Sequence, residues 1–351
     1  MNQEYIQRIS KIEAELKRWL PETPDSTWNE QVFTGIGKNA SAETTALLIN
    51  PLKELLSRGG KRWRPLLMTL VCETLGGGDA SIPLAPLVEF SHNPSMIHDD
   101  IEDESDERRG KPAIHKIYGV DTAINSGSFF YFLSASCIET YLHKASTSNN
   151  KETIYRLWTE CMRRLHLGQA LDINWHRNIS FVPKIDEYYV MCKLKTGSLT
   201  HLAAELGAYA AGAPHKTIDV LGEAADLMGV GFQIIDDARN LTTGNPGKKR
   251  GDDIVEGKKS LPVLLYMHKF PEKRDRVFYC FHVAKHEGSR APEVSELMDT
   301  MIASGVVAEA EVIGKDMLTK THEILNSREF ADLHINENGR VLLDGLVDLI
   351  S

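Results

Sequence analysis

Residues 47–56 read Leu-Leu-Ile-Asn-Pro-Leu-Lys-Glu-Leu-Leu, and this stretch shows the pattern that decides the fold. Its leucines recur at intervals of three and four residues, which places them on one face of an α-helix. The same spacing returns in Leu221, Ala224, Leu227 and Met228. Alternating apolar runs, the mark of strands, are nearly absent. The sequence therefore predicts an all-α protein of roughly ten or more helices.

The composition limits the class of protein. The chain has 351 residues, of which 42% are hydrophobic, enough for a sizeable core. Predicted loops include residues 104–119 and 241–260, but no flexible linker or short repeat divides the chain, so we interpret residues 1–351 as a single all-α domain. Lys and Arg number 40 against 49 Asp and Glu, a net charge of −9. This balance argues against a nucleic-acid partner.

The cysteines and the first twenty residues bear on where the protein works. Five scattered cysteines without a Cys-x-x-Cys pair favour a reducing cytoplasm over disulfides or a zinc site. Residues 1–20 carry Glu4, Glu13 and Glu15, so they lack the basic region and unbroken apolar run of a signal peptide. No stretch approaches about 18 uncharged apolar residues. We predict a cytoplasmic protein without an integral membrane segment.

Two apolar helical stretches each end in a pair of aspartates. Residues 96–103 read Met-Ile-His-Asp-Asp-Ile-Glu-Asp, and residues 233–240 read Gln-Ile-Ile-Asp-Asp-Ala-Arg-Asn. In the first, Asp99 and Asp103 share a helix face, where like charges repel each other. A hard cation would relieve the repulsion, and Mg²⁺ commonly takes one or two carboxylates plus substrate phosphates. A solvated acidic helix end is the alternative, which is harder to accept twice in one chain.

Cationic groups flank both acidic stretches. Residues 59–65 read Gly-Gly-Lys-Arg-Trp-Arg-Pro, residues 108–110 read Arg-Arg-Gly, and residues 248–250 and 258–259 add four lysines and one arginine. Arg offers phosphate a bidentate fork and Lys a point charge. Each cluster alone could be a solvated loop. Carboxylates and cations together predict a site for a metal-bound diphosphate.

In their order along the chain, these motifs resemble the trans-isoprenyl diphosphate synthases, the polyprenyl synthetase family. The first half of the resemblance covers residues 60–65, His92, residues 99–103 and residues 108–112. The second half covers Gly168-Gln169, Asp172, Lys195-Thr196-Gly197, Phe232-Gln233, Asp236-Asp237, residues 247–258 and Pro262. The resemblance spans about residues 50–265 and is closest to the geranylgeranyl diphosphate synthases of eukaryotes, although residues 248–258 look bacterial.

The resemblance implies an isoprenoid-synthase helical bundle around a central active-site cavity, normally as a homodimer. It also implies a trans-prenyltransferase that joins an allylic diphosphate to isopentenyl diphosphate, with three Mg²⁺ ions and bound diphosphate. The catalytic residues implied are Asp99, Asp100, Asp103, Lys195, Thr196, Gln233, Asp236 and Asp237. The substrate-binding residues implied are Lys61, Arg64, His92, Arg108, Arg109, Lys195, Thr196, Gln233, Lys248 and Lys258. The metal ligands implied are Asp99, Asp100, Asp103 and Asp236.

Several of these residues have simpler interpretations when taken alone. His92 could be a hydrogen-bonded core histidine, Thr196 with Gly197 could mark a helix kink, and Gln233 could satisfy a buried backbone group. Asn240 departs from the family pattern, because many members have a third aspartate there. We expect Asn240 in an outer shell, hydrogen-bonded to a metal-bound water.

The residues before Asp99 bear on product length. Farnesyl-producing members of the family place an aromatic residue four or five positions before the first aspartate, whereas Ser95 and Pro94 stand there in this chain. The resemblance therefore favours geranylgeranyl diphosphate, with farnesyl or a longer chain as the alternative. The bulky candidates to close the product tunnel are Phe129, Phe130, Phe132 and His166.

Two other kinds of protein share parts of this pattern. A class I terpene cyclase would use the metal and diphosphate groups without isopentenyl diphosphate, but it would not need Lys61, Arg64, His92 and Arg109. A non-catalytic subunit of a heteromeric synthase would be expected to lose acidic motifs, yet both aspartate pairs are present. Chain elongation is the interpretation favoured by the sequence.

Overall fold

Helices make up nearly all of the regular structure in the computed structural model, which describes residues 3–35, 37–144, 151–244, 249–327, 330, 333 and 336–350. In chain order they are α1 (Gln3–Trp19), α2 (Ser26–Val32), α3 (Ala42–Ser57), α4 (Trp63–Thr74), α5 (Ala85–Glu102), α6 (Ile114–Tyr118), α7 (Val120–Lys144), α8 (Lys151–Arg177), α9 (Ile185–Cys192), α10 (Ser198–Ala210), α11 (His215–Thr242), α12 (Asp252–Val255), α13 (Leu261–Lys269), α14 (Arg274–Glu287), α15 (Pro292–Ala303), α16 (Val306–Leu325) and α17 (Glu337–Ile350). Short 3₁₀ turns occupy Gly37–Asn39, Gly78–Leu84 and Pro271–Lys273, and a π-helical turn occupies Lys193–Gly197. The predicted all-α class is confirmed.

The leucine-rich stretch lies in α3, as its spacing predicts. Before this helix the Ser41 hydroxyl accepts a hydrogen bond from the Thr44 N–H at 3.1 Å, which satisfies one amide of the first turn. Leu52 and Leu55 are fully buried, whereas Leu47 is 71% exposed. The buried face of α3 is therefore narrower than its leucine content suggests.

The chain folds into two compact units. The first contains Met1–Glu160, Leu202–Gly222 and Glu329–Leu346. Its central element is α4, in which every residue is buried. Helices α5 and α7 pack along each other, and a Cβ on Gly127 would come within 2.5 Å of the His98 ring. This close approach favours a residue without a Cβ at this position of α7.

The second unit contains Cys161–His201, Glu223–Arg328 and Val347–Ser351. Its apolar core is built mainly from the second half of α11 and from α13 to α16, with Ile234 and Phe281 among the buried side chains. The single domain predicted over residues 1–351 stays a prediction.

Regular structure is present within the two predicted loops named above. Residues 104–119 contain an antiparallel hairpin of β1 (Glu107–Arg108) and β2 (Lys111–Pro112), followed by α6. Residues 241–260 contain the short helix α12. Strands of two residues and a helix of one turn are too short to show a hydrophobic period.

All five cysteines are buried free thiols: Cys72, Cys137, Cys161, Cys192 and Cys280. Within the described part of the chain, no helix is both long enough and apolar enough to cross a membrane.

Candidate active site

The carboxyl end of α5 carries three aspartates in different surroundings. Asp99 exposes 18% of its side chain, whereas Asp100 exposes none. The Asp100 carboxylate accepts hydrogen bonds from Arg108 Nε, at 2.8 Å, and from Arg108 Nη2. Asp103 caps the helix, where its N–H donates to the Asp99 carbonyl at 2.8 Å, and it is half-buried. Asp99 and Asp103 thus remain accessible, while Asp100 is the buried counter-ion of Arg108.

The hairpin after α5 separates two neighbouring arginines. Arg109 and Gly110 form its turn with φ values of 55° and 72°, the signs that a type I′ turn requires. Arg108, in the strand, faces α5 and places Nη2 at 3.8 Å from Asp99 Oδ2. Arg109, in the turn, instead donates to the carbonyl of Gly59. The turn therefore directs the two guanidinium groups to different neighbours.

The cationic segment at the start of α4, residues 61–64, contains two buried arginines beside an exposed lysine. Lys61 is exposed, whereas Arg64 is 9% exposed and lies with its guanidinium carbon 4.4 Å from the centroid of the Trp63 ring. Arg64 Nη1 is 3.4 Å from His92 Nε2. Desolvation, followed by Arg64 and other nearby arginines, holds the pKa of His92 well below its usual value, so this imidazole is neutral near pH 7. The Trp63 ring thus supports the Arg64 guanidinium.

The aspartate pair of α11 lies in the second unit. Asp236 is half-buried, while Asp237 is buried. Asp237 Oδ2 accepts hydrogen bonds from the Tyr188 hydroxyl at 2.7 Å and the Leu261 N–H at 3.3 Å. Its Oδ1 accepts one from Gln233 Nε2 at 2.8 Å. Burial is the largest cause that raises the pKa of Asp237 to about 6, against the effect of these hydrogen bonds.

The π-helical turn between α9 and α10 holds two further predicted site residues. Thr196 Oγ1 donates to Gln233 Oε1 at 2.7 Å, and Lys195 Nζ donates to Asp172 Oδ2 at 2.5 Å. A Cβ on Gly168 would lie 2.3 Å from the Lys195 backbone nitrogen, so only glycine lets α8 approach this turn. Such turns within helices are frequent at functional sites. The helix irregularity predicted at Thr196 and Gly197 is therefore real.

A buried carboxylate that sequence patterns did not single out holds the same turn. Asp226, 3% exposed, lies within 3.1 Å of three basic groups: Arg164 Nη2, Lys193 Nζ and His201 Nδ1. Its Oδ1 would be 3.2 Å from a Cβ on Gly197. The one signal in the sequence is an aspartate inside an apolar helical stretch, a residue type that is rarely buried without partners.

The lysines that follow α11 differ in their surroundings. Lys248 lies outside the described residues. Lys258 Nζ pairs with Glu256 Oε2 at 2.5 Å. Lys259 is 2% exposed, its Nζ lies 4.3 Å from the centroid of the Phe281 ring, and burial lowers its pKa to about 8. Lys259 therefore belongs to the core and not to a cluster that faces phosphate.

Asn240 has a backbone partner of its own. Its side chain is fully buried, and Oδ1 accepts a hydrogen bond from the Asp253 N–H at 3.2 Å. The Asn240 carbonyl accepts a second hydrogen bond, from the Gly251 N–H at 2.9 Å. These contacts fix the segment that leads into α12. The outer-shell position expected for Asn240 stays a prediction. Its amide oxygen already accepts a hydrogen bond from the backbone.

The accessible carboxylates suit a hard cation. Asp99, Asp103 and Asp236 offer oxygen ligands, which Mg²⁺ prefers, without full burial. Across the described residues, no group of three or more His, Cys, Asp or Glu side chains is arranged to hold a metal alone. Mg²⁺ commonly completes its octahedron with water and substrate phosphate, so each acidic helix end, with its few accessible carboxylates, fits this ion taken by itself.

Two residues predicted to close the product tunnel lie in other surroundings. Phe130 is fully buried and packs edge-on against Phe90, at 5.8 Å between ring centroids. Phe90 lies about two and a half turns before Asp99, which puts it on the opposite face of α5. Phe132, in contrast, is 73% exposed. Phe130 is therefore helix-packing core, and Phe132 lies at the surface of its own chain.

The two other tunnel candidates differ from each other. His166 is exposed, and its Nδ1 lies 2.8 Å from the Met162 carbonyl. Phe129 is half-buried and stacks on Phe33, with 5.7 Å between ring centroids and 21° between ring planes. Phe129 therefore remains a candidate to close the product tunnel.

Known proteins share the sequence pattern and the fold described above. A sequence profile of the polyprenyl synthetases matches residues 45–300. A geranylfarnesyl diphosphate synthase from Aeropyrum pernix is 30% identical over 302 residues, 84% of this chain and 92% of that protein.

Solved structures give the same result at the level of the fold. A geranylgeranyl pyrophosphate synthetase from Pyrococcus horikoshii Ot3 has a TM-score of 0.79 and 26% identity, with 99% of this chain and 96% of that chain covered. A polyprenyl synthase from Caulobacter crescentus CB15, complexed with calcium and isoprenyl diphosphate, has a TM-score of 0.75 and 24% identity, with the same coverage.

Proposed function

The chain belongs to the polyprenyl synthetase family, and from that membership we propose its product and the roles of its residues. It is a trans-prenyltransferase that lengthens prenyl diphosphates, with the helical fold of the isoprenoid synthases. The reaction breaks the C1–O bond of an allylic diphosphate and joins C1 to the terminal alkene carbon of isopentenyl diphosphate. A proton is then lost from the condensed cation, and the departing diphosphate is the base.

The acidic ends of α5 and α11 supply the metal ligands of this proposal. Asp99 and Asp103 would hold Mg²⁺ at the end of α5, and Asp236 would hold Mg²⁺ on α11. When bound, Mg²⁺ supplies positive charge that neutralises the leaving diphosphate. Asp100 keeps the Arg108 guanidinium beside Asp99, which adds a fixed cation at this helix end.

The second unit supplies the polar groups near the reacting carbon. Lys195, oriented by Asp172, adds positive charge for the leaving diphosphate, and Lys258 and Lys248 have the same role. Thr196 and Gln233 stabilise the allylic cation through their oxygen dipoles. The hydrogen bond from Gln233 to Asp237 fixes the orientation of the amide, so its carbonyl stays directed toward Thr196.

The diphosphate that does not ionise has its own set of groups in the first unit. Lys61, Arg64 and Arg109 bind the diphosphate of isopentenyl diphosphate, and neutral His92 donates to it without adding charge. The observation that carries this assignment is the turn that directs Arg109 away from Arg108. A KM for isopentenyl diphosphate that rises about tenfold in Arg109→Ala but not in Arg108→Ala supports it. Equal effects of the two variants on both substrates would contradict it.

The product that we propose is geranylgeranyl diphosphate. Ser95 lies one turn before Asp99 on the same face of α5, and its hydroxyl is bonded to the His92 carbonyl, so no bulky group stands there. Ser95→Phe should shorten the product to farnesyl diphosphate, while Ser95→Ala should leave the length unchanged. Chromatography of the products made from each allylic primer with Mg²⁺ tests this. An unchanged length in Ser95→Phe would place the limit elsewhere.

We also propose a cytoplasmic homodimer. Val120, Ile124 and Phe132 are 48%, 46% and 73% exposed, and they follow one face of α7 at multiples of four residues. Soluble monomers rarely leave several large apolar side chains uncovered along one helix, and a second copy of α7 would cover them. Light scattering should report a dimer for the wild type and a monomer for Phe132→Asp. A monomeric wild type would contradict the proposal.

A further inference from the structure

Two arginines of the first unit adopt a backbone conformation that is uncommon for their type. Arg62 has a φ of 48° and Arg109 a φ of 55°, both in the left-handed region. A Cβ on Gly60 would lie 2.7 Å from Arg62 Nη1 and 3.2 Å from Arg109 Nη2, so both guanidinium groups converge on this glycine. Such backbone strain persists where the surroundings over-determine it, commonly at functional sites.

The surroundings include a carboxylate buried beneath both arginines. Glu89, on α5, is 2% exposed, and its Oε2 accepts hydrogen bonds from Arg62 Nη1 at 3.3 Å and Asn93 Nδ2 at 2.9 Å. The Asn93 amide is oriented by a second bond, from Nδ2 to the Glu89 carbonyl at 2.9 Å. Its Oδ1 is then free to accept from Arg109 Nη2, at 3.4 Å. A continuous path of polar contacts thus leads from Glu89 to Arg109.

Helix α1 supplies a second carboxylate on the other side of Arg62. Arg62 Nε donates to Glu13 Oε1 at 2.7 Å. Glu13 also lines a surface groove of about 470 Å³, whose wall is formed by α1 together with Gly60 and Lys61. Arg62 is 4% exposed and therefore connects α1 to α5 through the interior of the unit.

These contacts balance the charges of the cluster. Two guanidinium groups against one glycine repel each other, and the repulsion is strong where solvent is excluded. Glu89 and Glu13 offset the charge of Arg62, because both carboxylates accept hydrogen bonds from its guanidinium. The charge of Arg109 remains available for an anionic ligand.

We propose that Glu89, Arg62, Asn93 and Glu13 are positioning residues that hold Arg109 ready for the diphosphate of isopentenyl diphosphate, and that α1 thereby contributes to binding that substrate. The inference rests on the proposed function, because it takes the ligand of Arg109 from there. None of these four residues needs to touch the substrate.

The test compares two ion pairs by which α1 is attached to the rest of the unit. Glu89→Gln and Glu13→Gln weaken the path to Arg109. Glu73→Gln is the matched control, since Glu73 on α4 pairs with Arg8 of α1 at 2.7 Å, without any of the contacts around Gly60. For each variant, KM for isopentenyl diphosphate, KM for the allylic primer, kcat and Tm are measured with Mg²⁺ at saturation.

We expect KM for isopentenyl diphosphate to rise about tenfold in Glu89→Gln and about threefold in Glu13→Gln. KM for the allylic primer should change less than about twofold in both. Glu73→Gln should lower Tm to a similar extent and leave both KM values within about twofold of the wild type. Asn93→Ala, which interrupts the path without removing a charge, should reproduce the rise seen in Glu89→Gln.

Other results would overturn the inference. It fails if Glu73→Gln raises KM for isopentenyl diphosphate as much as Glu89→Gln does, because attachment of α1 alone would then explain the effect. If Glu89→Gln does not fold, Asn93→Ala with an unchanged KM is sufficient to reject it. Arg109→Ala separates this failure from that of the proposed function: if Arg109→Ala raises KM for isopentenyl diphosphate and Asn93→Ala does not, only the positioning role is wrong.

Discussion

The two aspartate pairs share a sequence pattern but differ in how the second aspartate is held. Asp100 is fully buried against the guanidinium of Arg108, whereas the partners of buried Asp237 are the Tyr188 hydroxyl, the Gln233 amide and a backbone N–H. A cation neutralises the first carboxylate. Neutral donors leave the charge of the second uncompensated, and its pKa rises to about 6.

This difference shows that a repeated motif does not imply a repeated electrostatic environment. In the α5 pair, an internal ion pair brings a fixed positive charge beside Asp99. In the α11 pair, the same position anchors a polar network that reaches Thr196 through Gln233. The first arrangement suits charge neutralisation, and the second suits the orientation of neutral dipoles.

The largest expected effect is common to both pairs and concerns their first aspartates. Asp99→Ala and Asp236→Ala should each reduce kcat by about 10³-fold or more, because loss of a metal ligand removes charge stabilisation from the transition state. Steady-state rates over a Mg²⁺ titration measure this, with circular dichroism to verify folding. Asp219→Ala, at an exposed aspartate of α11, is the control. Near-normal rates with unchanged Mg²⁺ dependence would reject the metal assignment.

Substitution of the second aspartate should change the free energy of unfolding differently in the two pairs. Asp100→Asn leaves the Arg108 guanidinium without its buried partner and should lower the free energy of unfolding by about 3 kcal/mol near pH 7. Asp237→Asn removes a charge that has no cationic partner among the described residues, so it should not lower the free energy of unfolding by more than about 1 kcal/mol. Urea denaturation of both metal-free variants gives the comparison. Equal losses would mean that the ion pair and the neutral network are energetically equivalent.

The dependence of stability on pH should identify Asp237 directly. Because its folded-state pKa of about 6 exceeds the usual 3.8, the folded state binds the extra proton between these values. This contribution is complete below about pH 4 and is lost as the pH rises through about 6, a difference of about 3 kcal/mol. Denaturation with EDTA between pH 4 and 7 should show a smaller decline in Asp237→Asn than in the wild type. Parallel curves for the two proteins would contradict the prediction.

The smallest effect should come from the position four residues after the first aspartate, where Asp103 at the C-cap of α5 corresponds to Asn240 in α11. Asn240→Asp keeps an oxygen for the Asp253 N–H, so kcat should remain within about threefold of the wild type. The new carboxylate would be fully buried, so Tm should fall by a few degrees at pH 8 and by less at pH 6. A loss of kcat as large as that of Asp236→Ala would instead show that the neutral amide is required.

Sequence periodicity and motif order predicted the helical class and the residues of the candidate site, but not their surroundings. Leucine spacing located α3 because a helical period is a local property. Lys258 and Lys259 look alike in the sequence, yet one step along the loop between α12 and α13 places Lys259 in the core. Tyr188 and Asp226 carried little signal because the partners that define their roles come from distant parts of the chain.

The sequence placed Arg108 and Arg109 at a helix end or turn, but the hairpin that separates them could not be predicted, for a different reason. Its flanking strands have two residues each, which is too short for a recognisable pattern. Arg109 has a left-handed φ, and an arginine in the sequence gives no sign of that conformation, as a glycine would. Asp99 and Asp100 likewise have the same chemistry, and only the fold shows that Asp100 is buried against Arg108 while Asp99 stays accessible.

The buried thiols can report local unfolding of the protein, because a reagent reaches them only when the surrounding helices open. Alkylation requires both access and the thiolate form, and burial raises the pKa of thiols in each unit, including Cys72 and Cys192. Iodoacetamide should therefore modify the folded enzyme only at the rate at which its helices open. Cys72 and Cys137 would time openings in the first unit, and Cys161, Cys192 and Cys280 those in the second. Mass spectrometry of the modified peptides would then reveal, without any added label, which unit opens more readily and whether substrate slows it.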